Sequence, residues 1–175
     1  MNQQIKIWQM TDNLKKWIEN FAQESNKIEG IHTTTDEETQ ALFDFIEQDV
    51  ILLQDVENYV NIVQPGAILR DKVGLDVRVG SHFPPKGSPD IRDYLQRLLN
   101  ILPQDNRFEN QFCNEASSNP FLFHQEYETL HPFTDGNGRS GRAIWLWQML
   151  KLRMNFAPGG FLQTWYYQSL NNYRK

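Results

Sequence analysis

Residues 131–150, HPFTDGNGRSGRAIWLWQML, join a polar, glycine-rich dozen to a run that is apolar on nearly every face. A helix apolar all round belongs at the centre of a domain, so RAIWLWQML predicts a buried central helix. The polar dozen then sits at that helix's start, which is no place for ordinary surface. His131 precedes a proline, and the residue before Pro is pushed out of helical geometry, so an incoming helix ends there. Its imidazole faces the loop near a helix C-terminus, where the dipole favours the protonated form and a nearby Arg or metal opposes it. A histidine titrating near neutrality in such a loop suits a general base.

Gly136-Asn137-Gly138 lets a ligand approach the main chain, and the free N–H groups of the helix that starts there attract anions, phosphates above all. Arg139 and Arg142, three apart, reach the same side of that helix. Asp135 is out of place in a pure anion site, and a divalent cation bridging it to phosphate oxygens would account for it. Each element alone has an ordinary reading as a turn, a helix end or a solvated arginine. Their coincidence at the start of a buried helix points instead to transfer of a phosphoryl-type group.

The rest of the chain gives that loop its setting. Its 175 residues suffice for one core, and 39% hydrophobic with 22% charged residues is a globular composition. A net charge of −5 argues against nucleic acid as the main partner. Cys113 is the single cysteine, which excludes an intrachain disulfide and fits a reducing compartment. The start, MNQQIKIWQM, carries no cleavage signature, and no segment approaches a membrane span. These features together predict one cytoplasmic domain over residues 1–175.

Leu14, Trp17, Ile18 and Phe21 share one face of a helix over residues 11–30 that stops at Gly30. Thr35 and Glu38 stand at capping-box spacing ahead of a second helix, and residues 51–63 read as a third. Ala67–Leu69 and Leu75–Val79 flank a polar turn and predict a β-hairpin over 67–80. Ser88-Pro89 and Asn119-Pro120 each launch a helix, and a last one is expected over 161–172. The expected fold is an all-α bundle carrying one β-hairpin. His124, Glu128 and His131 share a helix face, but no fourth metal ligand accompanies them, and His124 reads as a structural residue of the core. The five tryptophans read as core or interface.

The run His131-Pro132-Phe133-Thr134-Asp135-Gly136-Asn137-Gly138-Arg139-Ser140-Gly141-Arg142 resembles the complete signature of Fic-domain proteins, H-x-F-x-(D/E)-G-N-G-R-x-x-R. The likeness extends through HQEYETLHPF (124–133) and VGSHFPP (79–85) and covers roughly residues 55–170. It implies transfer of AMP from ATP to a Ser, Thr or Tyr hydroxyl of a target protein, with pyrophosphate released. On this resemblance His131 is the base, Asp135 holds Mg²⁺ and Phe133 anchors the loop in the core, in a helix–loop–helix over 119–153. Gly136, Asn137 and Gly138 cradle the phosphates, while Arg139 and Arg142 bind the β and γ groups. The hairpin resembles the family's flap, on which a target docks by strand-like pairing, and Val79, Gly80, Ser81 and His82 border the nucleotide. Tyr166 and Tyr167 fall where the family contacts adenine, although Arg174 stands where an Asn is usual. The resemblance leaves open homodimerisation, self-modification, transfer of another group such as UMP or phosphocholine, and a non-catalytic ATP-sensing module.

Further upstream, SNKIEG (25–30) resembles the family's inhibitory motif, (S/T)-x-x-x-E-(G/N). Physics also makes Glu29 odd, since a carboxylate in the last turn of a helix faces the dipole's negative end. By resemblance its partner is Arg142, with Ser25 one turn back, so that Glu29 fills the place of a γ-phosphate. This implies the class with an N-terminal inhibitory helix. In some relatives the same Glu supports removal of AMP by orienting a water.

Overall fold

The computed structural model describes residues 12–102 and 120–151. Six helices are found among them: α1 (Asp12–Ile28), α2 (Asp36–Glu47), α3 (Leu53–Val63), α4 (Pro89–Asn100), α5 (Pro120–Leu130) and α6 (Asn137–Lys151). The expected helix over 161–172, together with Trp8, Cys113 and Trp165, lies outside the described residues.

Local chemistry sets the boundaries. α1 gives way to Gly30, whose φ of +75° is open to glycine and unfavourable for other residues. At the head of α2, Glu38 N–H donates to Thr35 Oγ1 at 3.1 Å and Thr35 N–H donates to Glu38 Oε2 at 2.8 Å. This reciprocal pair is the capping box that the spacing predicts. α4 begins with Ser88 as N-cap and Pro89 in the first turn.

The helices assemble around α6. Ten of its fifteen residues are buried, and it packs against α1, α2, α3 and α5, so no face is left for solvent. α1 lays Ile18 and Phe21 into the core, with Phe21 stacked on Trp145 of α6 at 6.0 Å. Trp147 of α6 is fully buried and spends its indole N–H on the Gln48 carbonyl, just past the end of α2, at 2.7 Å. Phe45 of α2 meets Tyr59 of α3 at 5.2 Å. Between α5 and α6, Ser140 Oγ donates to Gly136 O at 2.9 Å and receives the Tyr127 hydroxyl at 2.7 Å. Among the described residues no helix is long and apolar enough to cross a membrane.

The hairpin expected over 67–80 does not form; among the described residues this stretch has only two isolated bridges, Leu69 with Phe133 and Val79 with His82. The reason is competition for backbone groups. Ile68 O accepts from Thr134 N–H at 2.9 Å, Ile68 N–H donates to Thr134 Oγ1 at 3.0 Å, and Arg70 N–H donates to Pro132 O at 2.8 Å. The first run of the supposed hairpin is therefore paired with the 131–135 loop in place of the second run. The Val79–His82 bridge closes a tight turn by reciprocal bonds of 3.1 and 2.9 Å.

Thr35→Ala removes one half of the capping box and is expected to lower unfolding free energy in urea by about 1 kcal/mol. An unchanged midpoint would show that the box contributes nothing.

Candidate active site

α5 ends at Leu130, and His131 adopts φ +48°, a left-handed conformation that non-glycine residues hold only under constraint. The chain then turns through Pro132 and the buried Phe133 and enters α6 at Asn137. Asn137 is buried and closes this loop on itself. Its Oδ1 accepts from Phe133 N–H at 2.8 Å, and its Nδ2 donates to Phe133 O at 2.9 Å. The amide side chain is thereby spent on shaping the loop, which leaves main-chain N–H groups at the start of α6 as its donors to a ligand. Gly136 has φ +77°, and a β-carbon there would come within 3.1 Å of the Gln64 side chain, so both backbone and space call for glycine.

His131 departs from the expectation of near-neutral titration. Burial pushes its pKa down to about 4, helped by the charges of Arg70 and His82; Asp135 and the Glu128 backbone carbonyl pull weakly the other way. The helix-end effect that favours the cation is outweighed by desolvation. The imidazole is accordingly neutral at pH 7, the form that can accept a proton. Glu128 Oε2 lies 3.9 Å from His131 Nδ1, and Glu128 Oε1 lies 4.0 Å from His124 Nε2. His124 is itself buried, and burial with the Arg142 charge drives its pKa down to about 3.

The two arginines of the loop helix are both buried, and both are already engaged. Arg142 Nε donates to Ser25 Oγ at 2.9 Å, and its Nη2 donates to Ser25 O at 3.0 Å and to Glu29 Oε1 at 2.6 Å. All three acceptors come from α1 and the residue following it. Gly138 faces this pair so closely that a β-carbon would overlap Glu29 Oε1 and sit 2.9 Å from Arg142 Nη1. Arg139 donates through Nη1 to the Val63 carbonyl at the end of α3 and through Nη2 to Gln64 Oε1. Its Nη1 also lies 3.6 Å from Glu38 Oε1.

Asp135 is exposed, with Oδ1 accepting from Gly136 N–H at 2.7 Å. On the other side of His131 stands the turn carrying Val79, Gly80, Ser81 and His82. The His82 ring Nε2 bonds Thr129 O of α5 at 3.0 Å, and this holds the turn against the histidine. The structure thus brings together His131, Asp135, the glycine loop, both arginines, the Ser25–Glu29 pair and the 79–82 turn. Tyr166 and Tyr167 lie outside the described residues.

Three participants escape the sequence. Arg70 falls in the polar turn of the expected hairpin yet is fully buried and bonded to His131 O at 2.7 Å. Glu38 reads only as a cap yet faces Arg139. Gln64 reads as a helix end yet receives Arg139.

The described residues form a helical domain whose central helix opens on a glycine loop, with a neutral histidine before it and two buried arginines in its first turns. Residues 43–149 match the model of the Fic/DOC family, more than half of the chain, and the chain belongs to that family. It is 29% identical over 119 residues to a protein of Drosophila mojavensis named protein adenylyltransferase Fic, covering 68% of this chain and 22% of that protein. A protein of the same name from Drosophila virilis is 31% identical over 103 residues, covering 59% of this chain and 19% of that protein. The chain thus aligns with only about a fifth of the length of these curated relatives.

The low pKa of His124 gives stability a definite pH dependence. Its folded value of about 3 lies below the ordinary 6.5, so between these values the unfolded chain binds the proton and the folded one does not. Stability is therefore complete above about pH 6.5 and is lost as pH falls toward the folded value. From pH 7 to about pH 5 this one group accounts for roughly 2 kcal/mol. Urea unfolding of His124→Gln at both pH values is expected to show a correspondingly flatter profile; a slope equal to that of the unmodified chain contradicts the assignment.

Proposed function

We propose that this domain transfers AMP from ATP to a hydroxyl group of a target protein and that Glu29 restrains the reaction by occupying Arg142. The activity in the relatives' names is carried to this chain on that reading. The observation that carries it is a neutral, half-buried His131 placed directly before a glycine loop that opens a buried helix. His131 accepts the proton of the attacking hydroxyl, and the oxygen forms a bond to the α-phosphorus. The bond from that phosphorus to the bridging oxygen breaks, and pyrophosphate leaves. The N–H groups at the start of α6 hold phosphate oxygens, with Arg139 and Arg142 as cationic partners once released from their present contacts.

Asp135 suits Mg²⁺, because that ion takes one or two carboxylates and fills its remaining positions with substrate phosphates and water. An exposed carboxylate at the mouth of the loop offers that arrangement. When bound, the ion would offset charge on the phosphate oxygens. The target would lie along the 67–82 segment beside His131, and a single cysteine fits a cytoplasmic setting. Glu29 Oε1 is tied to Arg142, while the Glu29 side chain is 38% exposed. That leaves it able to orient a water for the reverse removal of AMP from a modified target.

The test uses α-labelled ATP with Mg²⁺ and a cell lysate. Wild type is expected to label protein weakly and Glu29→Gly at least tenfold more, while His131→Ala in the Glu29→Gly background gives none. Equal labelling with and without His131 would overturn the mechanism, and preference for another labelled nucleotide would reassign the donor.

A further inference from the structure

Arg70 has no exposed surface, and among the described residues no carboxylate is hydrogen-bonded to it. A buried guanidinium stays charged and is costly unless its N–H groups find acceptors. Here the acceptors are backbone carbonyls on two separate walls of the site. On one wall, Nε donates to His131 O at 2.7 Å and Nη2 donates to Leu130 O at 2.8 Å. On the other, Nη1 donates to Pro85 O at 2.8 Å and to Leu75 O at 3.3 Å. Leu75 and Pro85 flank the turn of residues 79–82. The main chain of Arg70 joins in, with its N–H on Pro132 O at 2.8 Å and its carbonyl accepting from Ser88 N–H at 3.0 Å.

Helix ends explain why the first wall needs this. The last carbonyls of α5 have no intrahelical donors, and Pro132 supplies none. His131 meanwhile holds a left-handed φ of +48°, which persists only where the surroundings over-determine it. Arg70 satisfies those carbonyls and clamps both sides of the His131 peptide unit. One planar fork therefore fixes the backbone of the histidine relative to the backbone of the facing turn.

We propose that Arg70 is a positioning residue for the transfer step, setting His131 in line with a hydroxyl presented beside the 79–82 turn. This rests on reading His131 as the base. Misplacing a reacting group by about 1 Å costs on the order of 100-fold in rate while leaving a remote ligand's binding intact. A lysine places one nitrogen where the guanidinium places three, so it cannot span both walls.

The experiment compares Arg70→Lys and Arg70→Met in the Glu29→Gly background. Initial label transfer from α-labelled ATP to lysate protein is measured beside Mg-ATP affinity by calorimetry and melting temperature. Leu99→Ala, a core truncation in α4, serves as a destabilised control. The expected result is transfer slowed roughly 100-fold in both Arg70 variants, with ATP affinity within about threefold and the control unchanged per folded molecule. Unchanged transfer in either variant overturns the inference. So does loss of transfer and affinity together, or loss of folding in both, since each would make Arg70 a support of the fold alone. If His131→Ala still labels protein, the base assignment fails instead, whatever the Arg70 variants do.

Discussion

Arg142 is the constraint around which the site is organised. A guanidinium with 1% of its surface exposed remains charged, so acceptors must be brought to it. The chain supplies them from α1 and the residue that follows it: the Ser25 hydroxyl, the Ser25 carbonyl and the Glu29 carboxylate. Removing a partner from such a pair leaves an uncompensated buried charge, a larger penalty than the net worth of the pair. The docking of α1 through Phe21 and Ile18 and the charge on α6 are therefore one problem with one solution. On the proposed reading a γ-phosphate is a second solution, and the ligand and α1 compete for the same cation.

Arg139 extends this coupling. Asn26 Nδ2, one residue after Ser25, reaches Thr33 O at 3.0 Å, Thr34 Oγ1 at 3.1 Å and Glu38 Oε2 at 3.3 Å. Glu38 in turn faces Arg139, whose guanidinium also takes the terminal carbonyl of α3. The end of α1, the cap of α2, the end of α3 and the first turn of α6 thus meet in one polar network. Its members are individually ordinary, a capping box and a helix-end carbonyl among them. Through Glu38 and Arg139 the end of α1 is linked to the first turn of α6.

The sequence disclosed what depends on local pattern. RAIWLWQML shows a central helix because burial on every face leaves no polar stripe. The Thr35–Glu38 spacing shows a cap because both bonds lie within one turn. Glu29 was conspicuous because a carboxylate at a helix C-terminus needs a cation. The hairpin over 67–80 was misread because alternation says that a segment is extended and not what it pairs with; the 131–135 loop claimed its donors and acceptors. The titration of His131 was misread for a related reason. The tertiary fold buries the ring, and the charges of Arg70 and His82, both distant from His131 in sequence, add to that burial. Arg70 itself stayed hidden because its partners are carbonyls, which every residue carries.

The most direct measurement of the competition at Arg142 is the affinity of ATP relative to ADP by calorimetry with Mg²⁺. The two nucleotides differ by the γ-phosphate alone. With Glu29 on Arg142 the unmodified chain should hold them about equally, whereas Glu29→Gly should favour ATP by at least tenfold. An ATP-to-ADP ratio that is the same in both proteins would contradict the account.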